Sequence, residues 1–308
     1  MEERAAIQQR YENALDALIE KVREDHTILA AILLGSLAYD TVWEKSDIDL
    51  LLITHEAKLN RESYVLVEDG IIIHAYLQTR STFKRTLEGA VHSSFMHSLL
   101  MKGRILFSRD DTLQELFENR HHIGARDREI QLLRAGTWVI PSLQKAEKWF
   151  YVRKDLDYSF FWIMKTLDSL ATIETLLHGE VTGREVVLQA LRHNSGFFGN
   201  VYTDLIRQEK TPEAIEAALK AIHTYLCERT PVLFKPIFVF LSEAGGVRSA
   251  TEINHYFRNQ MNLECADMAC EWLADEQYIQ KVSSPLRLTE KSRVDVQEAA
   301  YYYDGDIS

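Results

Sequence analysis

The chain has 308 residues, 46% of them apolar and 26% charged, with a net charge of −11. That length exceeds one ordinary core and predicts two or three domains, and the composition excludes a disordered or fibrous protein. The acidic surface repels polyanions, so nucleic-acid binding would need a local basic patch. Cys227, Cys265 and Cys270 form no C-x-x-C pair, which argues against a disulfide framework or zinc knuckle and for a reducing compartment. No basic-then-apolar leader opens the sequence, and no apolar run approaches the roughly 20 residues that span a bilayer. A cytoplasmic protein with no membrane partner is expected.

Residues 2–24 predict an amphipathic helix, with Ile7, Tyr11, Leu15, Leu18 and Val22 at helical spacing. Residues 27–34 form an apolar strand that runs into Gly35-Ser36, and 47–54 form a second. Residues 64–68 and 71–78 flank Asp69-Gly70, the signal of a tight hairpin. A helical stretch follows at 81–101, then a short strand at 103–107. This order predicts an α+β first domain with a mixed sheet, over residues 1–120.

From 121 to 228 the pattern is helical throughout, with long segments at 127–153, 157–178 and 212–228. Trp149, Phe150, Tyr151, Tyr158, Phe160, Phe161 and Trp162 crowd this block and are expected to fill the core of an all-α helical bundle. The last block, 229–308, has helical segments at 232–243, 250–259 and 263–274. A strand at 278–282, a Ser283-Ser284-Pro285 turn and a strand at 286–289 complete a small winged-helix domain.

The chemistry concentrates between the first two strands. Gly35 lets backbone amides approach a phosphate closely, and the Ser36 hydroxyl adds a donor. Ser46 precedes Asp47 and Asp49, whose i, i+2 spacing on a strand puts both carboxylates on one face. Two such acids repel unless a cation lies between them, and an oxygen-only site suits Mg²⁺ or Mn²⁺. Carboxylates, metal and a phosphate-binding turn together describe nucleotidyl transfer from a nucleoside triphosphate.

The pattern G-S-x(10)-D-x-D, in the run from Gly35 to Leu50, resembles the polymerase-β-like nucleotidyltransferase superfamily and its small bacterial members, among them antibiotic-modifying adenylyltransferases. The helical block resembles the second domain with which such enzymes hold the acceptor. The three-part layout resembles a group of bacterial nucleotidyltransferase-like proteins. The resemblance implies Mg²⁺ (or Mn²⁺) on Asp47 and Asp49, and a nucleoside triphosphate held by Gly35, Ser36 and Ser46. It implies a small-molecule or protein hydroxyl as acceptor.

Two features depart from the superfamily. Tyr39 and Asp40 stand where a small or basic residue and a glycine are usual. No third carboxylate lies within residues 71–78, where a later strand should carry one. His74 is the polar residue nearest that place, sharing a face with Tyr76 and Gln78, whereas Glu68 and Asp69 sit at the hairpin end.

Three readings of His74 remain open. It is a catalytic residue, acting as ligand or base, since imidazole takes up a proton near neutral pH. It marks a site that binds nucleotide without turnover. Or it is a buried histidine bonded to a backbone carbonyl.

Elsewhere, Lys165, Asp168, Ser169 and Thr172 form one polar stripe, either a solvated helix face or the wall of an acceptor cleft. His121-His122 lacks the i, i+4 spacing of a metal pair, and Arg192-His193 lacks the spacing of a helical ribonuclease motif. Residues 231–308 hold twelve acids against seven bases, and Glu264, Asp267 and Glu271 occupy the helix that would enter a DNA groove. Specific DNA binding is therefore not expected. That block is expected to pack on the helical block or on a second copy of the chain as a homo-oligomer. The expected function is nucleotidyl transfer, with a catalytically degenerate nucleotide-binding or protein-interaction module as the alternative.

Overall fold

The apolar runs on either side of Gly35 become the two central strands of a sheet. A computed structural model describes residues 2–39, 41–56, 59–89, 100, 102–118 and 125–305. Asp40 and His121-His122 lie outside the described residues, as does much of the 81–101 segment. By its internal contacts the chain forms two compact units, one of residues 1–123 with 181–184, the other of 124–180 with 185–308.

In the first unit, helix α1 (Glu2–Glu24) precedes β1 (Ile28–Leu34), and the short helix α2 (Gly35–Ala38) precedes β2 (Ile48–Thr54). Strands β3 (Ser63–Glu68) and β4 (Ile71–Thr79) form the expected hairpin. Asp69 and Gly70 turn it at φ 49° and 74°, the left-handed pair that such two-residue turns require. Helix α3 (Arg80–Gly89), strand β5 (Arg104–Ser108) and helix α4 (Asp111–Glu118) follow.

The sheet order is β3-β4-β2-β1-β5, with β2 and β4 parallel and the other pairs antiparallel. Every residue of β1 is buried, as expected of a strand covered on both faces. Tyr11, Leu15, Leu33, Leu50 and Ile73 pack on the α1 side. Ile32, Leu51, Ile53, Phe83 and Phe117 pack on the other. Each fully buried Leu or Ile stabilises by about 1.5–3 kcal/mol, so this two-sided slab fixes the strands whatever charge stands at their ends.

In the second unit, helices α5 (Ala125–Glu147), α6 (Leu156–Leu177), α7 (Val186–His193) and α8 (Pro212–Leu233) pack together, with a π-helical turn at Lys148–Arg153. None of the seven clustered aromatic residues is buried, contrary to the sequence expectation. The buried stripe of α6 runs through Ser159, Ile163, Thr166, Leu167 and Leu170, and Tyr158, Phe161 and Trp162 fall beside it. The Tyr158 ring lies tilted against Trp149 (4.3 Å) and Phe161 (5.4 Å), with the Lys165 ammonium 4.9 Å from the Phe161 ring. Of the polar stripe, Lys165 and Asp168 are exposed, while Ser169 and Thr172 are half-buried.

Helix α9 (Lys235–Ala244), strand β6 (Arg248–Ser249), helices α10 (Ala250–Met261) and α11 (Ala266–Asp275), and strands β7 (Gln280–Leu286) and β8 (Val296–Tyr302) complete this unit. The small sheet is three-stranded and antiparallel, in the order β6-β8-β7. Ser283-Ser284-Pro285 is not a turn but part of β7, paired with Ala299, Glu298 and Gln297. The proline is tolerated because β7 is an edge strand, where a missing N–H removes no ladder bond. Glu271 of α11 is held by Lys281 and by the Tyr301 hydroxyl at 2.7 Å. Among the described residues no helix is long and apolar enough to cross a membrane.

In the first unit, helix α1 also reaches the loop before β2. Tyr11 of α1, 4% exposed, donates its hydroxyl to the carbonyls of Ser46 (2.8 Å) and Glu44 (3.2 Å). The loop that leads into Asp47 is thereby tied to α1. Tyr11→Phe leaves those carbonyls without this donor and is expected to lower unfolding stability by about 1–2 kcal/mol. Urea denaturation monitored by circular dichroism checks this, and an unchanged midpoint would contradict it.

Candidate functional site

Strand β1 ends against a carboxylate. The antiparallel register pairs Leu34 with Asp49, and the chain then turns at Gly35 with φ +69°. A Cβ built on Gly35 would lie 2.3 Å from Oδ2 of Asp49, well inside contact distance. Glycine is required twice over, by the left-handed backbone and by this close approach.

Asp49 is the second residue of β2, and Asp47 lies just ahead of the strand, 52% exposed. The parallel register between β2 and β4 pairs Asp49 with His74. The His74 side chain, 34% exposed, places Nε2 3.2 Å from Oδ2 of Asp47. His74 is therefore not the buried histidine satisfied by a carbonyl that the sequence left open.

Burial raises the Asp49 carboxyl above the ordinary aspartate range. The neighbouring Asp47 charge raises it further, while His74 and Arg184 pull the other way. Tyr76, two residues along β4 on the same face, has its phenol raised by burial and then by the Asp49 and Asp47 charges. A half-buried carboxylate beside a second one concentrates negative charge that His74 and Arg184 offset only in part, and the donors beside it are oxygen with one imidazole. These are the conditions a hard divalent cation satisfies.

Ser36 sits in the α2 turn, its carbonyl accepting from the amides of Tyr39 (3.2 Å) and Thr41 (3.0 Å). The Ser46 hydroxyl accepts from the Trp43 amide at 3.1 Å, so it closes its own loop. Glu68 pairs with Lys21 at 2.7 Å, at the hairpin end expected from the sequence. Beyond His74, the cross-strand neighbours Val65, Val67 and Ile72 are exposed, a short apolar wall.

Three contributors were not singled out from the sequence. Tyr11 anchors the Asp47 loop, and its place on the apolar stripe of α1 disguised its hydroxyl. Arg184 acts on Asp49 from the segment 181–184, remote in sequence but part of the same compact unit. Lys102 holds its ammonium 4.8 Å from the ring of Tyr39, next to the α2 turn.

The need for glycine at position 35 has a direct test. Gly70 also has positive φ, but a Cβ there would meet nothing nearer than an Arg10 nitrogen at 3.9 Å. Gly70→Ala is expected to cost only the backbone penalty, about 1–2 kcal/mol. Gly35→Ala is expected to cost more, because Asp49 must also move. Equal losses in denaturant titrations of the two variants would contradict the close approach.

Residues 16–112 match the family model described as Polymerase beta, Nucleotidyltransferase. No curated protein matches the chain. Eleven solved chains resemble it. One is a nucleotidyltransferase-like protein from Exiguobacterium sibiricum 255-15, with a TM-score of 0.64 and 17% identity, covering 95% of this chain and 99% of that one. At that identity the likeness establishes a shared nucleotidyltransferase-like fold.

Proposed function

We propose that this nucleotidyltransferase-like fold binds a nucleoside triphosphate through a divalent cation and transfers its nucleoside monophosphate to a hydroxyl of a small molecule or protein. The observation that carries the reading is the convergence of Asp47, Asp49 and His74 beside the Gly35 turn. Asp47 and Asp49 would hold Mg²⁺ or Mn²⁺, which when bound neutralises triphosphate charge and polarises the reacting phosphoryl group. The backbone of Gly35 and Ser36 would approach the phosphates, with Lys102 as a further cation beside that turn. Ser46 would act by shaping the loop that presents Asp47.

In the proposed step the acceptor oxygen attacks the α-phosphorus, the α–β bridging bond breaks, and pyrophosphate leaves in line. The acceptor proton passes to the imidazole of His74, which stands where the superfamily's third carboxylate is expected. The exposed Val65, Val67 and Ile72 offer an apolar surface to the substrate on the same side. One observation favours a second reading, in which nucleotide is bound but not turned over: His74 replaces a carboxylate that would be a permanent anion. In the remaining block the order α9-β6-α10-α11-β7-β8 supports a winged helix. Its role would be protein packing, since Glu264, Asp267 and Glu271 stand in or beside α11.

Two measurements separate these readings. Calorimetric titration should give Mg²⁺-dependent triphosphate binding that is lost in Asp47→Asn/Asp49→Asn, since amides supply no negative charge. Equal affinity with and without metal would overturn the assignment. Pyrophosphate release should fall by about 10²–10⁴-fold in His74→Ala if the imidazole is the working base. Release that is absent in the wild type and gained in His74→Asp would establish the second reading.

A further inference from the structure

A second convergence of metal-type side chains lies in the other unit. Among the described residues, His223, Cys227 and Glu276 bring one ligand atom each within 4.8 Å of one another. His223 and Cys227 stand at i and i+4 on α8, so they project from one face of that helix. Glu276 follows directly on the last residue of α11. Its Oε1 lies 2.8 Å from His223 Nε2, and its Oε2 lies 3.6 Å from Cys227 Sγ. The sulfur is 3.7 Å from Nδ1 and 3.9 Å from Nε2 of the imidazole.

A tetrahedral ion with nitrogen and oxygen bonds near 2.0–2.2 Å and a sulfur bond near 2.3 Å holds its ligand atoms about 3.3–3.7 Å apart. The sulfur already stands close to that spacing from both partners, whereas the 2.8 Å between His223 and Glu276 is a hydrogen bond that must open by about half an ångström to admit the ion. The surrounding contacts fix them: the Tyr278 hydroxyl donates to the Cys227 carbonyl at 3.1 Å, binding the segment after α11 to α8. His223 is 39% and Glu276 27% exposed, so an ion can reach the group from solvent.

We propose that His223, Cys227 and Glu276 bind a divalent ion of the zinc class. A set of one sulfur, one nitrogen and one carboxylate oxygen suits Zn²⁺ rather than Mg²⁺. This site is chemically distinct from the Asp47–Asp49 pair and does not depend on the function proposed for it. The ion would join α8 to the segment after α11, a structural link between the helical block and the small three-stranded block within one unit.

Cobalt is the probe, because a bound thiolate gives it a sulfur-to-metal charge-transfer band that carboxylate sites lack. The full chain is used with Cys265→Ser, since Cys265 is exposed, while Cys270 is wholly buried. Titration with Co²⁺ is expected to develop the band to one equivalent, with Zn²⁺ displacing it and Mg²⁺ leaving it unchanged. Cys227→Ser should abolish the band, and His223→Ala or Glu276→Gln should weaken Co²⁺ affinity at least about tenfold, the scale on which even outer-shell partners act. Absence of the band, or a band that survives Cys227→Ser, would overturn the proposal and leave a hydrogen-bonded trio without metal.

Discussion

The α-carbon of Gly35 lies so close to the Asp49 carboxylate that no side chain fits between them. This contact fixes how β1 leaves the sheet, where α2 begins, and which way the carboxylate points. It also half-buries Asp49 next to Asp47, which is why its carboxyl is raised. A folded-state value above the unfolded one means that ionised Asp49 opposes folding at neutral pH. The opposition disappears as pH falls through the raised value. The site is thus held in an unfavourable charge state by the sheet around it, and the cation proposed between the two acids would remove the penalty.

The sheet can hold that state because its stability comes from elsewhere. Apolar side chains cover both faces of β1 and β2, while the charged residues stand at the strand ends. Tyr11 then restrains the loop that carries Asp47. The parallel pairing of β2 with β4 brings in His74 at the level of Asp49. The placement of His74 follows from register, because β4 is buried at Ile71, Ile73 and Ala75 and cannot shift by one residue without exposing that apolar set.

Local signals made the site's frame legible in the sequence. Gly35, the D-x-D pair and the Asp69-Gly70 turn announced themselves by spacing and conformational need. His74, the partner of Asp47, was reached only through the resemblance, which expects a third carboxylate on a later strand, because the register of β2 on β4 is set by tertiary packing. Arg184 could not be found for the same reason, lying far along the chain. The aromatic cluster misled because composition says nothing of helix phase. The stripe at Ser159, Ile163 and Leu167 took the buried face instead. Pro285 misled because a turn residue is equally at home on an edge strand. His223-x-x-x-Cys227 was readable at helical spacing but incomplete until folding supplied Glu276.

Burial and the Asp47 charge hold the Asp49 carboxyl above its ordinary range, and the proposed cation would reverse this. The direct measurement is a carbon-detected NMR titration of the Asp49 carboxyl, with and without Mg²⁺. A midpoint above the ordinary aspartate value of about 3.9 is expected in metal-free protein, moving below it when Mg²⁺ is present. A lower metal-free midpoint is expected in Asp47→Asn. An Asp49 carboxyl that titrates in the ordinary range and ignores both Mg²⁺ and Asp47→Asn would contradict both expectations.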